Sequence, residues 1–93
     1  MTEARVTETI LFSGRVQGVG FRWTTERLAR DLPVTGFVRN LADGRVEVVA
    51  TGDSAVISRL IKRLKEHFGA GITEVERHNA NDPMEFSGFT IRR

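Results

Sequence analysis

The chain has 93 residues, of which 40% are hydrophobic and 28% charged, with 14 Lys and Arg against 12 Asp and Glu for a formal charge of +2. At this length roughly 64% of the unfolded surface is expected to be buried, enough for one core without covalent staples. One domain over residues 1–93 is therefore expected, with residues 1–6 frayed because no periodicity ties them down. Cysteine is absent, which excludes a disulfide framework, a thiolate zinc site and a cysteine nucleophile together.

No apolar run approaches the length of a membrane span, and Met1-Thr2-Glu3-Ala4 does not open a signal peptide, so a cytoplasmic protein is expected. Most cations alternate with acids, as in Glu26-Arg27 and Glu74-Val75-Glu76-Arg77. A nucleic-acid partner would need them gathered into a stripe, and none is expected.

From Thr7 to Ser13 the β-branched and aromatic residues predict a strand ended by Gly14. Ile10, Leu11 and Phe12 are apolar on both parities, which places that strand inside a sheet. The glycine-punctuated stretch Gly14-Arg15-Val16-Gln17-Gly18-Val19-Gly20-Phe21-Arg22 then runs into a helix over about Trp23 to Leu32, stopped by Pro33. Thr35 to Leu41 and Arg45 to Ala50 flank Ala42-Asp43-Gly44, the strongest hairpin signal in the chain. Asp53 or Ser54 caps a second helix reaching Phe68, with Ile57, Leu60, Ile61, Leu64 and Phe68 on its inner face. Ile72 to Arg77 alternates as a strand, and Phe86 to Arg92 forms a short last one.

The order β-α-β-β-α-β with an extra C-terminal strand predicts an α+β, ferredoxin-like sandwich: an antiparallel sheet with both helices on one face. Right-handed crossovers make the first two long strands parallel with another between them. Their C-terminal ends then share one edge, which brings Arg15 to Arg22 beside Asn40.

A glycine-rich turn entering a helix presents successive backbone N–H groups to an anion, and Arg22 at its end adds a permanent, forked charge. A Walker loop needs a Gly-Lys-Ser/Thr run that is missing. A dinucleotide fingerprint needs glycine where Trp23 stands, and a cysteine phosphatase loop needs cysteine at Val16. His67 and His78 lie eleven residues apart with no carboxylate cluster between them, so no metal site is expected. Asp43 suits the turn, Arg15 suits a wider positive field, and Trp23 at the helix start suits packing.

The stretch Gly14 to Arg22 resembles the signature loop of the acylphosphatase family. Gly36-Phe37-Val38-Arg39-Asn40 with Asp43-Gly44-Arg45-Val46-Glu47-Val48 resembles its second signature, and Phe86-Ser87-Gly88-Phe89-Thr90-Ile91 its C-terminal strand. The resemblance implies hydrolysis of an acyl phosphate to a carboxylate and inorganic phosphate; no cofactor or metal is expected, and a monomer is expected. It implies that Arg22 and the amides of Gln17, Gly18, Val19, Gly20 and Phe21 hold the phosphoryl group, with Asn40 orienting water. The chain departs from the pattern at Pro33, where a helix-ending glycine is usual, at Phe37 for a frequent Trp, and at Gly69-Ala70-Gly71, which lacks a proline-rich turn.

The chemistry agrees with so small a site. The leaving carboxylate of an acyl phosphate has a pKa near ~4 and needs no general acid, which leaves positioning and charge stabilisation to the protein. Two rivals are a binding module of the same fold and a domain that hands acyl phosphates to a partner enzyme. An RNA-reading sheet needs aromatic residues on its central strands, and Arg45 to Ala50 carries none.

Overall fold

The side-chain alternation of the first strand sets the architecture. In a computed structural model describing residues 5–80 and 82–93, strand β1 (Arg5–Gly14) buries Ile10 and Phe12 completely on one face. Helix α1 (Phe21–Arg30), strands β2 (Thr35–Asn40) and β3 (Val46–Asp53), helix α2 (Ser54–Phe68), a 3₁₀ turn (Gly69–Gly71), and strands β4 (Ile72–Asn79) and β5 (Phe89–Ile91) follow. The sheet order is β4-β1-β3-β2-β5. As expected, β3 lies between β1 and β2, pairing antiparallel with both. β4 is also antiparallel to β1, whereas β5 joins the edge parallel to β2, so the sheet is mixed rather than wholly antiparallel.

Valines 46 and 48 and Ala50 of β3 share the inner face with Ile10 and Phe12. α2 lays Ile57, Leu60, Ile61 and Leu64 over them, and α1 adds Phe21 and Ala29. The helical period of 3.6 aligns the α2 residues into one stripe, and burying that stripe against the sheet is the main source of its stability. The Asp53 carboxylate accepts from the Ala55 N–H at 2.9 Å and caps α2.

Several boundaries differ from the sequence reading. β1 begins at Arg5, because Arg5 and Val6 pair with Asp53 and Gly52 and lengthen β3 as well. Of the residues expected to fray, 1–4 lie outside the described residues, and Arg5 and Val6 belong to the strand. α1 ends at Arg30, and residues 31–33 close it with Asp31 N–H on Leu28 O and Leu32 N–H on Ala29 O. Asp31 sits at φ −88°, so the turn before Pro33 needs no left-handed residue.

The last strand covers only Phe89–Ile91. The segment before it crosses the outer face of the sheet and is held by a closed ring of hydrogen bonds. Met84 N–H donates to Thr7 Oγ1 (2.7 Å), Thr7 to Thr51 Oγ1 (2.6 Å), and Thr51 to Met84 O (2.7 Å). Phe37 is buried on this outer face, under the Phe86 ring at 5.8 Å and the Arg92 guanidinium at 3.8 Å. At the opposite end, buried Glu8 takes a forked pair of bonds from Arg77 at 2.7 and 2.9 Å. The carboxylate raises the Arg77 pKa above its ordinary value.

Candidate active site

The loop between β1 and α1 is pinned at both ends and open in the middle. Val16 and Phe21 are each only 1% exposed, with Phe21 packed between Phe12 and Phe68 at 5.0 and 4.7 Å between ring centroids. Gly18, Val19 and Gly20 between them are exposed. Gly14 permits the sharp departure from β1: a Cβ there would meet Gly71 O at 2.2 Å, and the next amide, of Arg15, donates to that same carbonyl at 2.7 Å. A small turn at Gly69–Gly71 thus braces the loop from below.

Gly20 is the N-cap of α1 and sits in the left-handed region at φ 80°, where an L side chain would be strained. No side chain caps the helix, and its first turn contains no acidic residue. The first intrahelical bond runs from Thr24 N–H to Gly20 O at 3.0 Å, so the preceding amides lack i−4 carbonyls in the helix. Together with the helix dipole they favour an anion of phosphate size.

These features open onto a cleft of about 470 Å³ lined by Val16, Gly18, Gly20, Phe21, Arg22, Trp23, Asn40, Ile91 and Arg93. Of the sequence-predicted residues, Gly18, Gly20, Phe21, Arg22 and Asn40 meet here, while Gln17 and Val19 do not line it. Arg22 is half-buried, and among the described residues no carboxylate pairs with it. Asn40 is the last residue of β2, held in register opposite Val46. Strand topology therefore carries it to the loop, as the shared-edge argument requires.

Gln17 does something the sequence did not disclose. Its side-chain amide donates to Leu41 O at 2.8 Å and to Arg45 O at 2.9 Å. Two carbonyl acceptors fix which end of the amide is nitrogen. The bond partners flank the β2–β3 turn directly after Asn40, so Gln17 ties the glycine loop to the strand carrying that residue. Ile91 and Arg93 bring the C-terminal strand into the wall, a contribution visible only once β5 is paired beside β2.

Other candidates settle elsewhere. Asp43 accepts from the Arg45 backbone N–H at 3.0 Å and from its guanidinium at 2.9 Å, and the backbone bond first of all lowers its pKa; it serves the turn. Arg15 is exposed beside the loop. His78 lies on β4 and His67 at the end of α2, and no group of three or more metal-ligating side chains converges among the described residues. Trp23, expected to pack, is 58% exposed at the rim of the cleft.

Comparison with known proteins identifies the family. The family model for acylphosphatase matches residues 8–91. An acylphosphatase of Thermobifida fusca is 42% identical over 93 residues, covering 99% of this chain and 100% of the relative. One from Lactobacillus johnsonii is 49% identical over 87 residues, covering 91% and 96%. The solved structure of an acylphosphatase from Coxiella burnetii superposes with a TM-score of 0.84 at 34% identity, covering 95% of this chain and 93% of that one. The match spans both the glycine loop and Asn40, and the chain belongs to the acylphosphatase family.

Proposed function

We propose that the cleft is where this acylphosphatase cleaves the carboxyl–phosphate bond, with Arg22 and the loop amides of Gly18, Gly20 and Phe21 holding the phosphoryl group and Asn40 orienting water. The observation that carries the assignment is the convergence of an uncapped helix N-terminus, Arg22 and Asn40 on one cleft. In this arrangement the guanidinium fork and amides balance charge on the phosphoryl oxygens. The Asn40 side-chain carbonyl accepts a hydrogen bond from the attacking water and holds its lone pair toward phosphorus. Water adds to phosphorus as the bond to the carboxylate oxygen breaks. The carboxylate leaves with the bonding pair, and the water's proton passes to a phosphate oxygen.

The substrate in this reading is a small acyl phosphate, and the protein acts on it as a monomer. No helix among the described residues is long and apolar enough to cross a membrane. We read the protein as a cytoplasmic enzyme without a nucleic-acid partner from its composition and charge, and no cofactor is assigned to the reaction.

Phosphate release from acetyl or benzoyl phosphate, set beside a phosphate monoester, tests the reading. Turnover of the acyl phosphates alone is expected, because nothing assigned to the site protonates a poor alkoxide leaving group. Comparable turnover of the monoester, or none of either, would overturn it. The second outcome would favour a domain that only hands acyl phosphates on.

A further inference from the structure

We propose that Trp23, with Arg27 and Leu28, forms a subsite for the acyl group that favours aromatic over small acyl chains. The inference rests on the assignment of the neighbouring cleft to the phosphoryl group. Trp23 lines that cleft and also a second cavity of about 330 Å³ bounded by Thr24, Arg27, Leu28 and His67. The indole thus borders both hollows, and the proposal places the phosphoryl end of the substrate in the first and its acyl group at the second.

The ring is built to meet something. At 58% exposure it is the most exposed of the large hydrophobic side chains among the described residues. Arg27, one helical turn on, places its guanidinium 4.8 Å from the ring centroid. That contact orients the indole without burying it. A pre-oriented aromatic surface loses little conformational entropy when a second ring stacks on it. Leu28 is half-buried against the core and gives the second cavity a fixed apolar side.

Acetyl phosphate would touch none of this beyond its carbonyl, whereas the phenyl ring of benzoyl phosphate would lie against the indole. Ring–ring contact of this kind is worth about tenfold in affinity. If the contact is kept through the transition state, the tenfold appears in kcat/KM.

Trp23 is the only tryptophan in the chain, so its emission reports on the subsite directly. Two uncleavable analogues carry a methylene in place of the bridging oxygen: benzoylmethylphosphonate and acetonylphosphonate. The first is expected to bind about tenfold tighter and to change the emission, and the second to bind without that change. In parallel, the ratio of kcat/KM for benzoyl over acetyl phosphate is expected to fall about tenfold in Trp23→Ala and to be largely retained in Trp23→Phe. An unchanged ratio in Trp23→Ala, or the same emission response to both analogues, would overturn the subsite and leave the catalytic assignment standing. A parent protein that hydrolyses neither substrate would overturn the assignment itself and the subsite with it.

Discussion

Gln17→Ala removes the side chain that hydrogen-bonds the glycine loop to the β2–β3 turn, and its consequences can be worked from the bonds it makes. Two part-buried hydrogen bonds of 2.8 and 2.9 Å are lost. The two carbonyls left behind are not orphaned. Arg45 O still accepts from Leu41 N–H at 2.8 Å, and Leu41 O from Gly44 N–H at 3.2 Å. The cost therefore falls toward the low end for two bonds, about 1–2 kcal/mol, or roughly 5–15 °C in Tm for a domain of this length. Loosening the loop against Asn40 separates the phosphoryl site from the water it is to meet. A misplacement of a fraction of an ångström is expected to lower kcat about tenfold. Gln17→Glu is the sharper variant, because it turns acceptor oxygens toward two carbonyls. It should be less stable than Gln17→Ala at neutral pH and should recover as the pH falls and its carboxyl regains a proton to donate. Thermal unfolding and steady-state kinetics on benzoyl phosphate across pH 4–8 measure both effects. Parent-like kcat in Gln17→Ala despite a lowered Tm would show that the bridge braces the fold without aligning the site. Equal stability of the two variants at neutral pH would refute the donor geometry.

Three further outcomes are expected. Inorganic phosphate should inhibit competitively, and Arg22→Lys should weaken that inhibition at least tenfold, since a point charge lacks the planar fork; equal inhibition constants would remove Arg22 from the phosphate site. Turnover should persist in excess chelator, because the charge stabilisation is assigned to Arg22 and the loop amides; loss restored by magnesium or zinc would contradict that. Arg77→Met should destabilise the protein by about 2 kcal/mol in urea unfolding by stranding buried Glu8, less than at a wholly buried pair because the Arg77 side chain is 38% exposed. Adding Glu8→Gln should restore part of it, and a single variant as stable as the parent would show the pair to be worth nothing.

What was legible in the sequence was whatever depends on neighbours in the chain. The stripe from Ile57 to Leu64 and the Asp43-Gly44 turn signal act over a few residues, and the elements they predict are present. Chain order plus handedness then sufficed to bring the Gly14–Arg22 loop beside Asn40. What was not legible depends on partners far along the chain. β1 starts early because Arg5 meets Asp53. β5 is short, and the segment before it is held instead by Thr7 and Thr51 at Met84. Gln17 looks like one more loop residue until its acceptors, 24 and 28 positions away, fold over it. Trp23 misled for a different reason: an apolar residue at a helix start is ordinarily core, and only the finished cleft leaves it in solvent.

If the glycine loop and Asn40 form one catalytic unit, hydrolysis of benzoyl phosphate must depend on Asn40, and steady-state kinetics of Asn40→Ala measure that dependence. Asn40 sits at a strand end and is only half-buried, so the variant should fold with a stability within about 1 kcal/mol of the parent. Losing an oriented water should cost about 2–4 kcal/mol in the barrier, a fall in kcat of roughly 30- to 1,000-fold, with the phosphate inhibition constant nearly unmoved. A folded Asn40→Ala protein that turns over benzoyl phosphate at the parent rate would show that Asn40 is no part of the catalytic unit.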